Sequence, residues 1–131
     1  MTNLSDWKVL VVEDEADAQD VVRLILQSCG AQVFVASTAE DALKLLKDNL
    51  VPTVALTDLA LPSMNGWEFL STLRSRPELS GIPVVAMTAY HSTQVAQEAI
   101  QAGFAAYFPK PINSMTFAED LEKIVATKSG S

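Results

Sequence analysis

The chain has 131 residues, a length that suits one domain whose core needs neither a disulfide nor a structural metal. Hydrophobic residues make up 49%, yet no apolar run approaches a membrane span and no signal-peptide pattern opens the sequence, which points to a soluble cytoplasmic protein. A formal net charge of −7 argues against direct nucleic-acid binding, which needs a basic patch; most of the acids read as a solvated surface.

In chain order, "KVLVV" (8–12) opens as an apolar strand. Ala18, Val21, Val22, Ile25 and Cys29 follow at helical spacing, with Gly30 as a stop. Cys29, the lone cysteine, excludes an internal disulfide and reads as a packed thiol. "QVFVA" (32–36) is a second strand. Ser37 with Glu40 forms a capping-box pattern ahead of the stripe Ala39, Ala42, Leu43 and Leu46. "TVALT" (53–57) is a third strand, and Asn65 with Glu68 repeats the capping pattern before Phe69, Leu70 and Leu73. "IPVVAMT" (82–88) is a fourth strand; Val95, Ala96, Ala99 and Ile100 form the next stripe, stopped near Gly103. "FAAYF" (104–108) is a weaker fifth strand. Asn113 is placed to cap the last helix, with Phe117, Leu121, Ile124 and Val125 on its apolar face. "TKSGS" (127–131) reads as a polar tail.

Strands that are apolar throughout are covered on both faces, and five alternations of strand and helix imply a parallel sheet between two helical layers. Right-handed crossovers leave a flavodoxin-like, doubly wound (βα)5 α/β fold of strand order 2-1-3-4-5 as the natural arrangement for a single domain. No repeat or second domain is visible.

Such sheets bind ligands beyond the carboxyl ends of their strands. There the first strand ends in Glu13 and Asp14, the third in Asp58, the fourth in Thr88, and the fifth leads to Lys110. Three carboxylates brought together repel, and one lysine cannot neutralise them. They must raise their pKa values or hold a cation. Oxygen donors with open positions favour Mg²⁺, which takes one or two carboxylates and accepts phosphate oxygens. A carboxylate can also attack phosphorus to give an acyl phosphate, with Lys110 neutralising charge and the Thr88 hydroxyl donating to a phosphoryl oxygen.

From about Trp7 to Ala126 the chain resembles the receiver domains of two-component response regulators, in particular the chemotaxis receivers. "VVEDE", "TDLALPSMNG", "MTA" and "YFPKP" carry the likeness, in order, at successive strand ends. The resemblance implies a receiver domain over 7–126 with a polar tail at 127–131. It implies that Asp58 accepts a phosphoryl group from a sensor histidine kinase or a histidine phosphotransfer protein, and that the chain is an acceptor rather than an enzyme. Asp14, Asp58 and the Ala60 backbone carbonyl would bind Mg²⁺, with Glu13 acting through a bound water. Lys110 would pair with the carboxylate and then the phosphate; Thr88 would move toward the phosphate and Tyr107 would turn inward behind it. The Lys110–Pro111 peptide would be cis. A downstream protein would dock on the face made by the fourth helix, fifth strand and fifth helix, which could also pair two copies on activation.

The family segment Gly-Ala-Asp-Asp-Tyr is here Gly103, Phe104, Ala105, Ala106 and Tyr107, so this edge is less polar, and Phe104 is assigned to the core. Ala60 and Tyr90 flank the acceptor position and would slow attack by water on its phosphate. His91 reads as exposed and not catalytic. The competing reading is a pseudo-receiver, a binding module that never takes phosphate. A flavin- or nucleotide-binding protein would need a phosphate-cradling loop where "EDEADAQD" stands, and an aspartate-dependent hydrolase would need a second Asp where Ala60 stands.

Overall fold

The computed structural model describes residues 2–129. Strands and helices alternate: β1 (Lys8–Val12), α1 (Ala16–Ser28), β2 (Gln32–Ala36), α2 (Ala39–Lys47), β3 (Val54–Asp58), α3 (Gly66–Arg74), β4 (Val84–Thr88), α4 (Thr93–Ala102), β5 (Ala106–Pro109) and α5 (Phe117–Ser129). All pairings are parallel, in the order β2-β1-β3-β4-β5, as expected for a flavodoxin-like fold. Among the described residues no helix is long and apolar enough to cross a membrane.

Alternation along each strand divides the core into two layers. Leu10, Val12, Ala55, Val84 and Ala86 face α2, α3 and α4, whose Leu46, Phe69, Leu73 and Ala99 complete that layer. Val9, Val11, Leu56, Val85 and Met87 face α1 and α5, where Val22, Leu26, Phe117 and Leu121 fill the other. Phe104 lies in the first layer, 3% exposed, with its ring edge-on to Trp67 at 5.6 Å. The apolar substitution at the fifth strand therefore feeds the core, as assigned.

Several local expectations shift. β3 runs one residue further and includes Asp58. β4 starts at Val84, because Pro83 has no N–H to give the ladder. β5 starts at Ala106, because the Phe104 N–H closes the end of α4 on the Ala99 carbonyl. On α1 the buried pair is Val22 and Leu26, while Val21 at the edge of the stripe is 49% exposed. On α4 only Ala99 is buried, and Ile100 faces outward. The capping box predicted at Ser37 is a Thr38 cap: the helix begins one residue later, so the Thr38 Oγ1 accepts the Asp41 N–H at 3.0 Å. Ser37 instead accepts from Gln19 on α1. The Asn65–Glu68 box forms in both directions. Asn113 accepts the Met115 N–H and so shapes the turn before α5 rather than the helix's own first turn. Thr127 to Ser129 of the expected polar tail continue α5, because nothing in them breaks a helix. Gly130 and Ser131 lie outside the described residues. Gly103 ends α4 at φ 114° and Gly30 follows α1 at φ 96°, left-handed conformations that suit glycine.

Replacing Thr38 by Ala is expected to cost about 1 kcal/mol through loss of the cap. The Ser37→Ala change is expected to stay within about 0.5 kcal/mol. Urea unfolding midpoints of the two variants decide which residue caps α2.

Candidate functional site: an acidic rim with one lysine

Register assembles the site. Val12 pairs with Thr57, so the next residues, Glu13 and Asp58, lie side by side at the sheet's carboxyl edge. Asp58 pairs with Met87, which puts Thr88 one step beyond. Thr88 pairs with Pro109, and Lys110 follows. The Lys110 N–H binds the Thr88 carbonyl at 2.9 Å, and the Lys110–Pro111 peptide is cis.

The side chains converge. Lys110 Nζ donates to Asp58 Oδ2 at 2.6 Å and also to Glu13 Oε1. Glu13 is fully buried and Asp58 nearly so, whereas Asp14 is exposed at the rim. The backbone serves the remaining oxygens. The Ala60 N–H donates to Asp58 Oδ1 at 3.0 Å, and the Glu15 N–H donates to Glu13 Oε2 at 3.2 Å. Among the described residues no buried side-chain polar atom lacks a partner.

Carboxylate oxygens of Glu13, Asp14, Glu15 and Asp58 all lie within 4.8 Å of one another. Two unit charges at that distance repel by about 3 kcal/mol at an effective dielectric near 20. Among the described residues Lys110 is the ammonium paired with two of them, Glu13 and Asp58, so four acids face one cation. Burial pushes the Glu13 carboxyl above the ordinary carboxylate range; Lys110 pulls it back by hydrogen bond and charge, and Asp58 pushes it up again. Burial alone would depress the Lys110 ammonium, but the bonds and charges of Asp58 and Glu13 outweigh it and hold the group above the usual lysine value. The donor set is hard oxygen with two members open to solvent, which fits a small divalent cation such as Mg²⁺.

Thr88 is buried, and its Oγ1 accepts the Tyr90 N–H at 3.0 Å. Tyr107, half-buried on β5, directs its hydroxyl to His91 Nδ1 at 2.7 Å. His91 is exposed, as read from the sequence.

Three neighbours were not singled out from the sequence. Glu15 completes the acidic group, and the string "EDE" was its only signal. Gln19 donates to the Glu13 carbonyl at 2.5 Å and so fixes the turn into α1; no pattern marks it. Gly66 passes so close to β3 that a Cβ there would lie 2.4 Å from the Asp58 carbonyl oxygen. Gly66 was not singled out from the sequence, yet this close approach is what lets α3 start beneath Asp58.

Residues 9–122 match the family model for the response regulator receiver domain. The chain is 36% identical to the Leptolyngbya boryana 14.6 kDa protein of the sodA1 3′ region, over 88% of this chain and 87% of that one. It is 33% identical to the chemotaxis protein CheY-3 of Vibrio cholerae, over 91% and 92% of the two chains. The structure superposes on the chemotaxis response regulator CheY4 of Vibrio cholerae with a TM-score of 0.82 at 26% identity, covering 95% and 99% of the chains.

A Lys110→Gln variant tests the charge balance. Glu13 already holds its proton more tightly folded than unfolded, so its contribution to stability declines as pH rises from the ordinary Glu value through the raised folded value. Loss of Lys110 removes the pull that opposes burial and steepens that decline. The variant is expected to lose about 2–3 kcal/mol near pH 7.5 and less near pH 4, below the raised Glu13 value, where Glu13 keeps its proton. Urea unfolding at both pH values in chelator is the measurement; a pH-independent loss contradicts the account.

Proposed function

The chain belongs to the response regulator receiver family, and on that premise we propose that it is a phosphorylation-controlled switch with Asp58 as the acceptor. Receiver domains bind Mg²⁺ in an acidic pocket and work with histidine kinases and downstream targets. What carries the reading for this chain is the convergence of three further carboxylates on a buried aspartate held by one lysine.

An Asp58 oxygen attacks the phosphorus of a phosphohistidine on a sensor kinase or a histidine phosphotransfer protein. The new O–P bond forms as the P–N bond breaks, and the leaving imidazole takes a proton. Asp14, Asp58 and the Ala60 carbonyl would hold Mg²⁺, with Glu13 behind them through water. The bound ion would supply neutralisation of charge on the phosphoryl oxygens. Lys110 already lies on Asp58 Oδ2 and would transfer to the phosphoryl group once it is attached. The Thr88 hydroxyl, whose oxygen now accepts the Tyr90 N–H, would turn to donate its proton to a phosphoryl oxygen. Water later cleaves the acyl phosphate to restore the carboxylate and release inorganic phosphate. The chain is thus an acceptor that assists its own modification, and this reading puts it in the cytoplasm with its donor. The output partner is a protein docking on the α4–β5–α5 face, where Ile100 is exposed and where two copies would pair on activation. The net charge of −7 disfavours nucleic acid as a direct partner.

Acetyl phosphate with Mg²⁺ is expected to add one phosphoryl group, seen by intact mass. Chelator or Asp58→Ala is expected to abolish it. No adduct on the wild-type chain would favour the pseudo-receiver reading instead.

Ala60 and Tyr90 both stand exposed beside the acceptor, with no side-chain group at position 60 to hold an attacking water. Tyr90→Glu combined with Ala60→Asn is expected to shorten the lifetime of the phosphorylated chain several-fold in a Mg²⁺ chase. An unchanged lifetime removes these two positions from control of hydrolysis.

A further inference from the structure

We propose that His91 is a positioning residue that latches Tyr107, and that this latch lowers the readiness of the domain to accept a phosphoryl group. The inference rests on the reading of Asp58 as the acceptor. His91 stands three residues after Thr88, and Tyr107 three before Lys110. The Tyr107 hydroxyl lies 2.7 Å from His91 Nδ1, and the two rings lean together with centroids 5.6 Å apart at 31°. This contact therefore joins the segment leaving Thr88 to the strand that delivers Lys110. Ser92 next to it is fixed as the cap of α4, its Oγ accepting the Val95 N–H at 3.0 Å.

The consequence follows from where Thr88 must go. A phosphoryl group on Asp58 adds oxygens at the rim, and the Thr88 hydroxyl is the neighbouring donor. Its Oγ1 now serves the Tyr90 N–H, so turning to the phosphoryl group disturbs residues 88–91. The His91–Tyr107 bond restrains that segment from its far end. The restraint does not depend on the protonation of His91. A neutral ring protonated on Nε2 accepts from the tyrosine hydroxyl, and an imidazolium donates from Nδ1 to the phenol oxygen. A net hydrogen bond of this kind biases a two-state balance by about two- to tenfold, and the apparent affinity of any ligand selecting the released state falls by the same factor.

The test is binding of beryllofluoride with Mg²⁺, followed by fluorine NMR, to the wild-type, His91→Ala, His91→Phe and Tyr107→Phe chains and the His91→Ala/Tyr107→Phe double variant. His91→Ala and His91→Phe are expected to bind about two- to tenfold more tightly than wild type. In the Tyr107→Phe background His91→Ala is expected to have no further effect, because the partner hydroxyl is gone. Unchanged or weaker binding by His91→Ala overturns the latch. So does an equal gain in the Tyr107→Phe background, or wild-type behaviour of His91→Phe. Absence of binding in every chain refutes the acceptor reading instead. The latch is then judged by the nitrogen NMR signal of His91 Nδ1, which must move in Tyr107→Phe; an unmoved signal overturns it.

Discussion

Four acidic side chains crowd one edge of a parallel sheet against a single ammonium, and the rest of the molecule is arranged around that imbalance. Parallel strands deliver all their carboxyl ends to the same edge, so residues far apart in the chain meet there without any long loop. Lys110 is 97 residues from Glu13 and binds both it and Asp58. Both acids are buried, so their repulsion is weakly screened and their desolvation is large. A site built this way fits a small divalent cation, whose charge would offset the repulsion.

The frame around the acids is made of backbone rather than side chains. N–H groups of Ala60 and Glu15 hold Asp58 and Glu13, and the Lys110 N–H holds the Thr88 carbonyl. Gly66 brings the start of α3 against β3 at a distance no side chain would allow. These contacts fix the acids to the rigid sheet. The connections that follow the strands carry Tyr90 and His91 at their exposed surface. Charge is thus concentrated on the rigid sheet edge, and the exposed connections beside it have little buried area.

The edge from α4 to α5 shows how one local change acts through packing. Phe104 goes into the core against Trp67 instead of onto the surface of this edge. Tyr107 packs its ring on the same layer and turns its hydroxyl toward His91. Burial of one aromatic and tethering of the other give this edge a defined resting arrangement.

Much of this could be read without coordinates. Runs of apolar residues, helical stripes and the Asn65–Glu68 box are local properties of the chain, and they specified the five strands, the five helices and the layering of helices on both faces of one sheet. The order of strand ends then singled out Glu13, Asp14, Asp58, Thr88 and Lys110. Boundaries moved by one or two residues, as at Thr38 and Pro83, because a cap or a missing N–H is decided by hydrogen bonds that periodicity does not register. Only the tertiary structure decided that Lys110 bridges Glu13 as well as Asp58, that Glu15 joins the acids, that Gly66 must lack a side chain, and that Tyr107 meets His91. Those contacts depend on strand register and side-chain direction across distant segments, and no local pattern of residues encodes a distance between them.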